Sequence, residues 1–229
     1  MANTIKISTL DANAIKIGSS DVTAVYVGSS LVWSGGTEPP TPTALKFYAE
    51  YNDLTSYSAE CDSSSALTSG ETRAHTTSYS YMTSAEIGPC VTSIGDRAFY
   101  NCTNLSGITI PSSVTSIGNS SFSHCYSLTN VTIPSGVTSI GSSAFQTCSG
   151  LTSVTIGNGV TSIGLSAFRN CISLTSITVE ATTPPTLGTK PFDSTNNCPI
   201  YVPPESVDAY KSASGWSKIA SRIQAIPNS

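Results

Sequence analysis

The chain has 229 residues, of which 10% are charged and 8% aromatic, with a formal net charge of -4. No basic stripe exists to neutralise phosphates, which excludes nucleic-acid binding. A 38% apolar content with so few charges excludes a disordered chain. The N-terminal segment MANTIKISTLDANAIKIGSS has no basic region followed by an apolar run, and no stretch reaches about 18 apolar residues, so neither a secretory signal nor a membrane span is expected.

Residues 1–35 predict a small β module. Ile5-Lys6-Ile7, Ile15-Lys16-Ile17 and Val25-Tyr26-Val27 recur at a ten-residue spacing, and Gly-Ser turns follow the last two. Such triplets read as short antiparallel strands, with Leu31-Val32-Trp33 as one more. The module falls below the roughly 40 residues that can bury a core alone. It is therefore expected to dock on a partner or on a copy of itself, through Ile5, Ile7, Ile15, Ile17, Val25, Val27 and Trp33. Residues 36–44, GTEPPTPTA, read as an extended Pro-rich linker. Residues 45–90 open on the strand candidate Ala44-Leu45-Lys46-Phe47-Tyr48 and lead to Ile87, placed as the last strand residue of a degenerate repeat; the segment predicts an N-terminal cap.

Four near copies follow, beginning at Val91, Val114, Val137 and Val160, and together they span residues 91–183. The first reads VTSIGDRAFYNCTNLSGITIPSS and the third VTSIGSSAFQTCSGLTSVTIGNG, a period of 23 residues. A period in the low twenties with fixed apolar offsets predicts a mostly β leucine-rich-repeat solenoid, with caps at both ends. Leu105, Ile108 and Ile110 alternate as a half-buried strand does, with Thr109, Thr132, Thr155 and Thr178 as an exposed ladder. Phe99, Phe122, Phe145 and Phe168 predict an aromatic column. Gly95, Gly118, Gly141 and Gly164 are expected to turn the chain, and any helix in the AFxxC section is a turn or two. Cys102, Cys125, Cys148 and Cys171 predict a column of buried, reduced thiols, because rungs about 4.8 Å apart leave parallel side chains poorly aimed for disulfides. For Cys61, Cys90 and Cys198 the sequence leaves the pairing open. Residues 184–229 break the period and predict a C-terminal cap. Ile200-Tyr201-Val202 reads as a last strand there. A short helix follows from Pro204 to Tyr210, and a helical turn spans Ser217 to Ile223, with Trp216, Ile219 and Ile223 over the end of the core.

The run LTNVTIPSGVTSIGSSAFQTCSGL resembles the BspA-like leucine-rich repeats of bacterial surface proteins, and VPPESVDAYKSASGW resembles their end segment. That resemblance implies an open solenoid and adhesion to host surfaces. The N-terminal IKIGSSDVTAVYVGSSLVW resembles short β segments of virion proteins in tailed phages of gut bacteria, including the crAss-like phages, and this implies docking on capsid or tail proteins.

No catalytic constellation stands out. Only His75 and His124 are present, His124 occupies a free repeat position with no carboxylate at a fixed offset, and serines are so abundant that any triad drawn on paper has no force. No C-x-x-C pair suggests zinc and no phosphate-cradling loop is present, so no cofactor or metal is expected. If the solenoid binds, positions that vary between repeats carry the contacts: Tyr100, Asn101, His124, Tyr126, Gln146 and Arg169, with Arg97 and Asn170 beside them. Tyr and Arg dominate binding energy at interfaces. The expected function is that of a non-enzymatic virion structural protein, a head or tail fibre or decoration. Its N-terminus would dock and its solenoid would present a surface to a host protein or glycan, as a trimer or dimer. The alternative is a bacterial cell-surface adhesin.

Overall fold

A computed structural model of the chain describes residues 82–89 and 91–227, and the backbone alone of strands Asn3–Ile7, Val22–Val27, Ser30–Ser34, Thr43–Ala49, Ser58–Glu60 and Ala66–Leu67. Ile15, Ile17, Cys61, His75 and Cys90 lie outside the described residues. The chain divides into two units, Met1–Pro42 and Thr43–Ser229. In the first, Asn3–Ile7 pairs with Val22–Val27 in parallel, and only the second pair, with Ser30–Ser34, is antiparallel. The antiparallel reading of the first pair is thus corrected. Fourteen residues separate those two strands, positions 8–21, which is the length a parallel crossover needs rather than a hairpin turn.

The second unit is a stack of rungs. One side is a six-stranded parallel sheet of two-residue strands: Ala66–Leu67, Ser93–Ile94, Ser116–Ile117, Ser139–Ile140, Ser162–Ile163 and Thr186–Leu187. A second side carries Asn130–Ile133, Ser153–Ile156, Ser176–Val179, Ile200–Val202 and Ile223–Ala225, all parallel. Thr43–Ala49 runs antiparallel to Met82–Ile87, which pairs in parallel with Gly107–Thr109. Thr132, Thr155 and Thr178 stand in register across the longer sheet, as a half-buried strand with a polar outer face requires.

Stacking continues past the strict period. Thr186–Leu187 pairs with Ser162–Ile163, and the Phe192 ring lies 5.7 Å from that of Phe168, with the planes 14° apart. Residues inserted before Cys198 hide this rung from a search at fixed spacing. The Ile200–Val202 strand is not the last one either. Ile223, read as helical from its spacing to Trp216 and Ile219, begins the strand Ile223–Ala225 and pairs with Ile200. The segment before it, Trp216–Arg222, is a 3-10 turn in which Ile219 leaves helical geometry (φ -122°).

The core is a set of columns. The Phe99, Phe122, Phe145 and Phe168 rings stack at 5.0–5.1 Å with planes within 9°. Phe192 and Trp216 extend the column, and Tyr210 packs edge-on against Trp216 at 4.8 Å. Beside the rings run Ala98, Ser121, Ala144 and Ala167, all fully buried. Ser121 is the exception in its column, because its hydroxyl has no hydrogen-bond partner. An unmet buried hydroxyl costs about 1–3 kcal/mol. Ser121→Ala, which matches the other rungs, is therefore expected to raise the denaturation midpoint, and an unchanged or lower midpoint in a thermal melt would contradict this account.

The AFxxC section contains no helix. Alternate amides leave the rung: Arg97, Phe99 and Asn101 donate to the carbonyls of Asn119, Ser121 and Ser123 on the next rung, at 2.7–2.8 Å. The amides between them close local turns, Ala98 onto Gly95 and Tyr100 onto Arg97. Two residues per rung adopt left-handed backbone to allow this, Arg97 (φ 57°) and Asn101 (φ 64°), and likewise Ser120 and His124, Ser143 and Thr147, Ser166 and Asn170. Such conformations cost about 1–3 kcal/mol each for a residue with a side chain. The rung-to-rung bonds offset that cost.

The repeat glycines have another role than the turning expected of them. Gly118, Gly141 and Gly164 are not in the left-handed region. A Cβ on Gly141 would lie 2.6 Å from the Gly118 carbonyl carbon, so these residues are small because successive backbones touch.

The four repeat cysteines are buried and unpaired, as is Cys198. Each of Cys125, Cys148 and Cys171 donates its thiol to the carbonyl of the Phe one rung back, Phe99, Phe122 and Phe145, at 3.1–3.2 Å. Burial raises the Cys102 thiol from its ordinary value of 9.0 to about 12, and raises Cys125 and Cys148 as well. The consequence has a definite sign. At pH 9–12 the unfolded chain ionises these thiols while the folded chain keeps its protons. Stability is therefore full below about pH 9 and falls as pH rises through that window, by up to about 1.4 kcal/mol per pH unit for each such thiol. Urea midpoints measured from pH 8 upward check this, and replacing Cys102, Cys125 and Cys148 with Ala is expected to flatten the decline.

Candidate binding surface

The AFxxC corners put the variable side chains outside. Left-handed backbone at Asn101 and His124 turns the chain next to the buried Cys102 and Cys125, and the side chains of Tyr100, His124 and Tyr126 around this corner reach the surface. Tyr100, His124 and Tyr126 meet there. Their rings lie 5.4 Å and 5.8 Å apart in edge-to-face arrangements at 63° and 82°. The Arg97 guanidinium sits 5.9 Å from the Tyr100 centroid, within cation–π range.

His124 is held in place. The Ser123 hydroxyl oxygen lies within hydrogen-bond distance of both Nδ1 of His124 at 2.9 Å and the Gln146 carbonyl at 3.2 Å. Gln146 contributes that carbonyl, which also accepts the His124 amide at 2.9 Å. Tyr126 is 41% exposed, one of three large apolar side chains that stand out among the described residues; the others are Leu165 and Ile172.

Not every candidate joins this group. Asn101 is exposed, and its amide serves the ladder through Ser123. Arg169 lies two rungs beyond His124 and faces Asp193 at 3.9 Å, both side chains more than 40% exposed. A pair so exposed contributes at most about 1 kcal/mol. The candidates therefore divide into an aromatic cluster on the first two rungs and a separate ion pair near the end.

Sequence reading missed three features. Hydroxyls of Thr115, Thr138, Thr161 and Thr186 each donate to a carbonyl of the rung before, as do Thr129, Thr152 and Thr175 in a second row. The invariant Thr of the repeat frame was the available signal. Asp96 accepts from the Asn119 amide at 2.6 Å, and Asn119 in turn accepts from Ser142 at 2.8 Å. Arg222 closes the final rung, donating to the carbonyls of Cys198 (2.8 Å) and Phe192 (3.3 Å) and to the Thr195 hydroxyl (2.9 Å). It takes the place that the next rung's thiol holds elsewhere, and nothing in the repeat frame points to it.

Among the described residues no group of three or more His, Cys, Asp or Glu is placed to hold a metal ion, and no helix is long and apolar enough to cross a membrane.

Comparison with known proteins returns repeat proteins. No curated protein matches the chain. Among solved structures, a Treponema pallidum leucine rich repeat protein is similar at 32% identity, over 48% of this chain and 51% of that one, with a TM-score of 0.44. A leucine rich cell surface protein from Faecalibacterium prausnitzii is 32% identical over 53% and 39%, TM-score 0.39. A leucine-rich repeat protein from Bacteroides ovatus is 26% identical over 66% and 45%, TM-score 0.37. The chain thus spans about half the length of these relatives or less. The model of the BspA type leucine rich repeat region matches residues 72–198 in six copies. With its ring column, thiol ladder and paired parallel sheets in place over that span, the chain belongs to the BspA-type leucine-rich-repeat family.

Proposed function

We propose that this chain is a non-enzymatic adhesion protein of the bacterial cell surface, which presents its solenoid to a host-surface protein or glycan. The cluster of Arg97, Tyr100, His124 and Tyr126 carries the reading. It is the one place among the described residues where aromatic rings, a guanidinium and an imidazole converge outside the core. Rings with a polar edge bring large contact area and hydrogen-bonding capacity with little entropy to lose, which is why such residues dominate interfaces. Among the described residues Ser and Thr are the commonest exposed types, and repeat solenoids of this kind act as extended binding surfaces.

The expectation that residues 1–35 dock on a phage capsid or tail rests on the sequence of that segment. It remains the rival reading, with its trimer or dimer. Two measurements separate them. Surface labelling of the producing bacterium should find the chain exposed on intact cells; recovery in purified phage particles instead would replace this reading with the rival. Binding of the purified chain to an array of host glycoproteins and free glycans should fall at least about tenfold in Tyr100→Ala/Tyr126→Ala, as expected for a pair of anchor residues. Retained binding would remove the cluster from the site.

A further inference from the structure

The last rung of the solenoid ends asymmetrically. Its carbonyls are met by the cap: the Trp216 indole N–H donates to Pro185 at 2.7 Å, the Tyr210 hydroxyl to Ala181 at 2.8 Å, and Arg222 to Phe192 and Cys198. Its outward amides are not met. In every earlier rung three alternate amides donate onward, the last set being Ser166 to Thr189, Phe168 to Pro191 and Asn170 to Asp193. The corresponding donors one rung further are Lys190, Phe192 and Ser194. Among the described residues none of those three amides has an acceptor. The reason is chemical. The cap side chains that reach this end, Trp216, Tyr210 and Arg222, spend their N–H and O–H groups on carbonyls, and no acceptor of the cap is bonded to these amides.

These three residues line one groove of about 950 Å³ between the last rung and the Trp216–Arg222 turn. Its floor has apolar parts, Leu187, Phe192 and Ile219, and its charged residues are Lys190, Lys218, Arg222 and Asp193. On a chain of net charge -4 this is a local excess of positive charge, and Asp193 is turned to Arg169.

We infer that this groove receives an extended acidic segment of a partner polypeptide, which adds one more rung to the solenoid. Its backbone carbonyls accept from Lys190, Phe192 and Ser194, in the manner of strand addition to an open sheet edge. Its carboxylates face Lys190 and Lys218. A segment with basic side chains meets the same amides but the wrong field. The inference is independent of the aromatic cluster, which lies on the first two rungs.

The test uses the full chain and a fluorescein-labelled, acetylated and amidated octapeptide alternating Glu and Thr, with a Lys-Thr octapeptide as control. The Glu-Thr peptide is expected to raise anisotropy, with an affinity that weakens as salt is added, and to shift the amide resonances of Lys190, Phe192 and Ser194. The double variant Lys190→Glu/Lys218→Glu should lose at least about tenfold in affinity with an unchanged melting midpoint, since both side chains are exposed. Tyr100→Ala/Tyr126→Ala should bind the peptide as the parent does. Ser214→Trp, which fills the groove from its far wall, should block binding while leaving the melt intact. Equal binding of the two peptides, unmoved amides, or full affinity in the double variant would overturn the inference. So would concentration-dependent association of the chain with itself that the double variant abolishes, because the groove would then belong to a second copy.

Discussion

Phe145→Ala should be among the most damaging single changes in this protein. The ring is fully buried and lies between Phe122 at 5.0 Å and Phe168 at 5.1 Å, stacked on both faces. Replacing a buried Phe with Ala typically costs about 3–5 kcal/mol. Here the cavity would open in the middle of the column, so two neighbouring rungs lose contact as well as the rung that is changed. In a stack where each unit touches only its neighbours, a weak interface also lowers cooperativity. Urea denaturation followed by far-ultraviolet circular dichroism should show a lower midpoint and a shallower transition. A transition that moves without broadening would mean that the two halves still unfold as one body; a transition that does not move would refute the column.

Gly141→Ala tests the closeness of the rungs. The added methyl carbon would stand 2.6 Å from the carbonyl carbon of Gly118 and 2.7 Å from both its oxygen and the Asn119 nitrogen. All three are backbone atoms, so no side chain can swing away. The rungs must part, and the bond from the Gly141 amide to the Ile117 carbonyl, now 2.8 Å, must lengthen. Overpacking of this sort costs about 1–3 kcal/mol or more. Gly107→Ala is the matched control, since nothing lies within 4 Å of the added carbon; that change should fall within about 0.5 kcal/mol. Equal effects at the two sites would mean that conformational freedom, not contact, explains the glycines.

These two changes also mark what the sequence does and does not disclose. The repeat frame is legible because every rung places the same residue types in the same column. Spacing alone therefore located the Phe and Cys columns. It could not show why Gly141 is glycine, since a turn and a close approach select the same residue. The left-handed corners at Arg97, Ser120, Ser143 and Ser166 were hidden for the opposite reason: none is glycine, so the usual signal of that conformation was missing. The rung through Phe192 escaped because the spacing from Phe168 is 24 and from Cys171 to Cys198 is 27, not 23. In the candidate site, the variable positions were legible as a set, but their grouping was not. Whether Tyr126 reaches His124 while Arg169 stands apart depends on which rung each occupies and on how far each side chain extends around the corner.

The threonine rows have a consequence for how such a protein changes over generations. From Thr115 to Thr92, Thr138 to Thr115 and Thr161 to Thr138, each bond joins residues 23 apart, and so does Thr129 to Ser106 in the second row. Deleting or duplicating one 23-residue unit brings together partners of the same kind, with these threonine bonds remade between equivalent atoms. Near-identical coding segments are prone to misaligned recombination, and here its product is a folded chain, not a frustrated one. Reach becomes a quantity that inheritance can adjust in steps of about 5 Å, the ring spacing of one rung, while both ends of the stack keep their chemistry.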